Sequence, residues 1–320
     1  MQPAQIRQLA ERLKANIRRV IVGKEDIIDL LTVALIASGH VLLEDVPGTG
    51  KTLLAKTMAK SLGCSFRRIQ FTPDLLPSDL SGIHYYNQKR GDFEFRPGPL
   101  FSQILLADEI NRATPRTQSS LLECMEERQV TIDGETHPLQ RPFLVLATQN
   151  PVENQGTFPL PEAQLDRFLL KVRMGYPTVG EGLEILQRFK ADQPFDAVGP
   201  VADATEIIDA QESYTAAEVH PDLMLYMLQL AERTRSHPDI ALGVSPRGSL
   251  ALLKAVQVFA ILQGRDYAIP DDVKAMAKPV LAHRLLLKGT VRTRERYAET
   301  LIDQMLQDIP VPSEESLNRR

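Results

Sequence analysis

Tryptophan is absent, cysteine occurs twice in 320 residues, and aromatic side chains make up only 6%. Cys64 and Cys124 lie 60 positions apart, with no CxxC pair or Cys/His cluster beside them. That excludes a disulfide scaffold and a zinc ribbon, and it suits a reducing compartment. A basic surplus is missing too: 37 Lys and Arg against 41 Asp and Glu leave a net charge of −4, so no global field holds a polyanion. There is no long hydrophobic run. The most apolar stretch, Leu31 to Leu43, is broken by Ser38-Gly39-His40 and is too short to span a bilayer. The first residues do not read as a targeting signal, because Ile6, Leu9, Leu13, Ile17 and Val20 recur at helical spacing among charged residues. The expectation is a cytoplasmic soluble protein with no membrane insertion. Its composition, 43% hydrophobic and 24% charged, and its length suit two domains.

What is present is an alternation. Val41 to Leu43, Phe66 to Phe71, Ile104 to Ala107, Phe143 to Ala147 and Phe168 to Val172 read as buried strands, with helical spacing between them, as in Thr52 to Ser61 and Gln118 to Glu127. This predicts an α/β fold with a parallel sheet flanked by helices. Two stretches break the rhythm. Ile83 to Tyr86 with Phe93 to Phe95, and Val130 to Ile132 with Thr136 to Leu139 around Asp133-Gly134, read as β-hairpin insertions. After Tyr176-Pro177 the periodicity is helical to about Ile309. The expected organisation is an α/β core over residues 1–177, a smaller all-α domain over 178–312 with a loose linker at about 194–221, and a polar tail over 313–320.

The chemistry concentrates in two motifs. Pro47-Gly48-Thr49-Gly50-Lys51-Thr52 follows the strand His40 to Glu44 and opens a helix. Backbone N–H groups of a glycine-rich turn at a helix start surround phosphate oxygens, and the helix dipole favours their charge. Residues Val46, Pro47, Gly48, Thr49, Gly50, Lys51, Thr52 and Leu53 are therefore the candidate nucleotide contacts, with Lys51 reaching the β/γ-phosphates and the Thr52 hydroxyl ligating Mg²⁺. The full pattern has glycine six places before the lysine, where this sequence has Asp45. In the second motif the strand Ile104 to Ala107 ends in Asp108-Glu109, 57 residues after Lys51. Asp108 is the candidate Mg²⁺ ligand and Glu109 the group that polarises the attacking water.

Residues 44 to 52, 68 to 79, 107 to 113, 147 to 151 and 160 to 168, together with the weaker match at Val244-Ser245-Pro246-Arg247, resemble the MoxR family of AAA+ ATPases in sequence and in order. The resemblance implies a P-loop core with an α-helical lid, ATP/ADP and Mg²⁺ as cofactors, and a ring of identical subunits, a hexamer. It implies further roles at matched positions. Asn150 resembles the polar residue that orients the attacking water, with a strand-end turn former as the alternative. Arg167 resembles an arginine finger inserted into a neighbour's site, the alternative being an ion pair with Asp166 or Glu162. Arg247 resembles an arginine reaching back from the lid to the nucleotide, the alternative being a solvated helix start. Val22-Gly23 stands where the family contacts adenine.

Gln70 is a further candidate, able to hold Glu109 away from water, though a strand-end glutamine is more often simply exposed. Arg112 faces either a subunit interface or an ion pair within the subunit. Tyr85, Tyr86, Phe93 and Phe95 are explained by packing as well as by client gripping. The family resemblance implies a chaperone-like motor acting on a protein client with a von Willebrand factor A domain partner, in maturation or metal insertion. Two other classes stay open: a nucleic-acid motor, which the net charge disfavours, and a nucleotide-gated scaffold with little turnover.

Overall fold

The computed structural model describes residues 1–44, 48–150, 156–190, 193–289 and 294–312. In chain order the strands of the first half are β1 (Val41–Glu44), β2 (Phe66–Gln70), the hairpin β3 (Gly82–Asn87) and β4 (Asp92–Pro97), β5 (Ile104–Asp108), the hairpin β6 (Gln129–Ile132) and β7 (Glu135–Pro138), β8 (Leu144–Gln149) and β9 (Leu170–Val172). Five of them form one parallel sheet in the order β2-β5-β8-β1-β9. Helices α1 (Pro3–Ile17), α2 (Glu25–Ile36), α3 (Lys51–Ser61), the short α4 (Pro77–Ser81), α5 (Pro115–Glu127) and the short α6 (Glu162–Leu165) accompany it.

The central strands are apolar at every position because both faces of the sheet are covered. Leu42, Leu105, Ala107, Val145 and Ala147 point into one cluster with α5. Their alternates Val41, Leu43, Ile104, Leu106, Leu144 and Leu146 point into the other, the two-residue period of a strand. The edge strand β2 keeps Arg67, Arg68 and Gln70 exposed, as an edge should.

The second cluster runs without a break into the second half of the chain. That half holds α7 (Val179–Phe189), α8 (Ala204–Ser213), α9 (Pro221–Ser236), α10 (Pro246–Leu262), α11 (Pro270–Leu281) and α12 (Arg294–Asp308). Tyr226, Leu230, Val256 and Met276 share one core with α1 and α2. Two expectations change here. A short antiparallel ladder, β10 (Ile240–Leu242) with β11 (Leu286–Leu287), stands inside the otherwise helical lid. Residues 194–221 are not loose. Asp203 caps α8 through its bond from Glu206 N–H, Ile207, Ala210 and Tyr214 are buried, and Gln211 Nε2 donates to Leu35 O at 2.8 Å. Three apolar residues at i, i+3 and i+7 suffice because α2 supplies an apolar surface for them.

The hairpins pack on each other. His84 Nδ1 lies 2.8 Å from Asp133 Oδ2, and Phe95 stacks on His137 with ring centroids 5.0 Å apart. Tyr86 and Phe93 meet edge to face and stay exposed. Both cysteines are free, and burial foremost pushes Cys64 up to about 11 and Cys124 up to about 12. Among the described residues no helix is long and apolar enough to cross a membrane.

His40 locks the entry to β1. Its Nδ1 accepts from Val145 N–H at 2.9 Å, so the proton sits on Nε2 and is donated to Met125 O at 3.0 Å. Burial, with Arg128 adding repulsion, holds its pKa well below the ordinary value, and burial and Arg284 do the same for His283. An unfolded histidine takes a proton below about pH 6.5, which the folded rings refuse. Stability from this source is therefore complete above that pH and falls as the pH drops, by up to ~1.4 kcal/mol per pH unit for each ring. Thermal melting from pH 7.5 to 5.0 should show Tm declining below about 6.5, with a shallower decline in His40→Gln. An equal slope in that variant would contradict the neutral assignment.

Candidate active site

A parallel sheet brings all its C-terminal strand ends to one edge. Here Gln70, Asp108 and Gln149 end neighbouring strands, and β1 beside β8 leads into the glycine turn. Gly48 and Gly50 have φ of +84° and +88°, and a Cβ on either would meet nothing within 4 Å. Backbone conformation, not space, requires glycine there. No side chain caps α3, and its first ladder bond to Gly50 O comes from Leu54 N–H at 2.9 Å. The amides of Thr52 and Leu53 thus precede the helical ladder at the positive end of the dipole. Lys51 and Thr52 are its first two residues. Asp45, Val46 and Pro47 lie outside the described residues.

The acidic end of β5 is wired on both sides. Glu109 adopts left-handed angles, φ 57° and ψ 51°, uncommon for a non-glycine residue and found where geometry is over-determined. Its N–H donates to Thr148 Oγ1 at 2.8 Å, and that hydroxyl donates to Asp108 Oδ1. Its Oε2 accepts from Gln70 Nε2 at 2.8 Å and from Arg112 Nε at 2.8 Å. Arg68 contacts Asp108 Oδ2 at 2.7 and 3.1 Å and also donates to Gln70 Oε1 at 2.9 Å. Arg112 therefore makes its ion pair within the subunit. Asn150 is buried directly after β8.

Sequence reasoning missed three participants. Arg68 and Thr148 had no assigned role, although Arg68 shares a strand face with Gln70 by two-residue periodicity. Glu44, the last residue of β1, is 4% exposed and is held by Lys171 of β9 at 2.8 Å and by Arg173, the residue after β9, at 3.2 Å. Burial lowers the Lys171 pKa, with Glu44 opposing the shift. This pair anchors the strand immediately before the glycine turn.

Val22 is buried, and Gly23 has φ +66°. A Cβ on Gly23 would lie 1.9 Å from Glu181 Oε1, in the first turn of α7. The backbone angle favours glycine, whereas the close atom is the end of a flexible side chain that could swing aside.

The arginines are elsewhere. Arg167 precedes β9 and therefore stands at the N-terminal edge of the sheet, beside His40 at the start of β1. Arg247, in the first turn of α10, lines the same cavity of about 430 Å³ and donates to Glu126 Oε1 at 2.8 Å. The expectation that Arg247 reaches its own nucleotide is corrected. The four residues of β1, at about 3.3 Å each, separate that cavity from the glycine turn. The packing of α10 on α1 and α2 holds it there. Among the described residues Arg167 pairs with no carboxylate, since Asp166 is engaged by Arg284 and Ser245.

Residues 40–170 match the model of the ATPase family associated with various cellular activities (AAA), and residues 232–305 match an AAA lid domain. Chaperone MoxR1 of Mycobacterium tuberculosis is 42% identical over 94% of this chain and 82% of its own length. The chain belongs to the MoxR family of AAA+ ATPases. Protein YeaC of Bacillus subtilis is 50% identical over 95% of both chains. The crystal structure of a putative ATPase from Cytophaga hutchinsonii superposes with a TM-score of 0.89 at 37% identity, covering 97% of each chain. The reaction of this MoxR-family ATPase is ATP hydrolysis, and the two strand-end motifs are its candidate machinery.

The Gln70 bond makes a specific prediction for that reaction. Gln70→Ala should leave ATP affinity unchanged and raise basal turnover by up to about fivefold, as expected from freeing a base of one hydrogen bond worth ~1 kcal/mol. A fall in turnover at unchanged affinity would make Gln70 a residue that positions Glu109 rather than one that restrains it.

Proposed function

We propose that this protein is a Mg²⁺-dependent ATPase working in a homo-oligomeric ring, a hexamer. It acts in the cytoplasm as a chaperone-like motor on a protein client with a von Willebrand factor A domain partner. The observation that carries the ring is the separation of Arg167 and Arg247 from Lys51 by the whole height of the sheet. Arg247 so held does not face the glycine turn of its own subunit, and a neighbour's glycine turn is what this arginine edge would complete. Similarity to a relative named a chaperone supports the client role, and the exposed Tyr86 and Phe93 offer a grip. The domain partner rests on the family resemblance.

Within a site, Val22 and Gly23 flank the adenine, and residues 46–53 hold the phosphates, with Lys51 supplying positive charge. Thr52 and Asp108 present hard oxygens, and among the described residues no cluster of three or more His, Cys, Asp or Glu is present. Two oxygen donors that leave the other positions to phosphate and water suit Mg²⁺. When bound it neutralises charge on the β- and γ-phosphates. Glu109 takes the proton of the attacking water once Gln70 and Arg112 yield, and Asn150 orients that water. Arg167 and Arg247 stabilise charge developing in the neighbour's transition state.

Three variants test this. Lys51→Ala should abolish nucleotide binding, whereas Glu109→Gln should bind ATP normally and lose at least about a hundredfold in turnover, within the usual range for a general base. Wild-type turnover in Glu109→Gln would reject its role. Arg167→Ala should bind ATP yet lose most turnover, and mixing it with Lys51→Ala should restore part of the activity. Each mixed ring then holds interfaces where an intact phosphate loop meets an intact arginine. Mixed assemblies without recovered activity would reject the ring reading.

A further inference from the structure

Asp166, one residue before Arg167, is bound on both carboxylate oxygens. Oδ1 accepts from Arg284 Nε at 2.7 Å, and Oδ2 accepts from the Ser245 hydroxyl at 2.9 Å. Its backbone oxygen takes Arg284 Nη2 at 3.2 Å. Both partners belong to the lid. Ser245 caps α10, accepting Gly248 N–H at 3.1 Å, and Arg284 ends the 3-10 turn Ala282–Arg284 after α11.

Arg284 is 6% exposed. It spends its remaining N–H groups on the carbonyls of Phe168 at 2.6 Å, Leu169 at 3.2 Å and Val280. Burial pushes its guanidinium down to about 10, and the Asp166 carboxylate opposes that shift. Room for the side chain comes from Gly248, where a Cβ would stand 3.0 Å from Arg284 Cδ. A buried cation with every donor directed is rigid, because moving it would leave charge and carbonyls unsatisfied.

The consequence concerns two other arginines. Ser245 stands two residues before Arg247, and Asp166 stands one before Arg167. The Ser245–Asp166 bond therefore joins the backbone that presents one guanidinium to the backbone that presents the other. Glu126 holds the Arg247 side chain from α5 at 2.8 Å, which sets its direction but not its spacing from Arg167. The geometry points to Asp166 as the positioning residue that makes Arg167 and Arg247 one unit, so that a neighbouring subunit's nucleotide meets both guanidinia together or neither. Asp166 itself touches no phosphate. This inference rests on the proposed reading that the arginine edge completes a neighbour's site.

Two variants separate positioning from mere stapling. Asp166→Asn removes the charge facing Arg284. Ser245→Asp keeps a good cap for α10 and sets a carboxylate against Asp166, so it breaks the link even where Asp166→Asn fails to fold. Both should bind ATP within about twofold of the native protein, assemble to the same mass, and lose at least about tenfold in turnover at saturating ATP. Mixed with Lys51→Ala, each should regain activity, because the Lys51→Ala subunit carries an intact arginine unit. In the native background Arg167→Ala, Arg247→Ala and their double variant should cost nearly the same. In the Ser245→Asp background the two losses should become independent and multiply. A simple staple would alter melting temperature and leave that coupling untouched. If Arg167→Ala is rescued by Lys51→Ala while the folded link variants are not, or if coupling is unchanged in Ser245→Asp, the inference is wrong. If Arg167→Ala is not rescued either, the ring reading fails and takes this inference with it.

Discussion

Parallel alignment of five strands buried on both faces is the constraint on which everything else depends. It gives the sheet a polarity, with one edge where chains leave strands and another where they enter. The glycine turn, Asp108-Glu109 and Asn150 all follow strands, so they share the exit edge without any further device. Arg167 precedes a strand and is committed to the entry edge by the same rule. A covalent neighbour of β9 cannot reach the glycine turn without unpairing the strand. The separation between the glycine turn and the two arginines is thus a property of the topology.

The charged groups at each edge are held by partners from other elements, and this costs less than leaving them unpaired in a half-dry environment. At the exit edge Arg68 and Arg112 offset Asp108 and Glu109, and Gln70 shares hydrogen bonds with both sides. Glu44 sits deeper and is balanced by Lys171 and Arg173, neutralising the strand end that feeds the glycine turn. At the entry edge Asp166 and Arg284 form the corresponding pair, with carbonyls satisfying the guanidinium. At the exit edge charge ties the ends of neighbouring strands, β2 to β5 and β1 to β9, and at the entry edge it ties the approach to β9 to the lid.

Much of this was legible in residue order. The apolar runs at Val41, Ile104 and Leu144 announced strands because a strand covered on both faces has no polar alternate positions. The Asp133-Gly134 pair marked its hairpin through the backbone angles such a turn needs. Gly48, Gly50, Lys51 and Asp108-Glu109 were visible because local chemistry and spacing define them. The lid was harder. Residues 194–221 read as a linker because Ile207, Ala210 and Tyr214 form a thin stripe, whose helix is worth forming only against α2. The β10–β11 ladder is too short to leave a period.

Sequence by itself determined the class of the fold, the glycine turn that opens α3 and the paired acids that end β5, since each is specified by neighbours within a few positions. Tertiary structure alone decided that Arg247 stands beside Arg167 and not at the glycine turn of its own subunit. It also decided that Asp166 answers to Arg284, 118 positions away, and that Arg68 and Thr148 bracket Asp108. The physical reason is range. Backbone angles and strand periodicity act over a few residues, whereas an ion pair between distant segments exists only after the hydrophobic core has brought them together. Where a lid helix comes to rest depends on the apolar surface that receives it, and for α10 that surface was built from α1 and α2, at the other end of the chain.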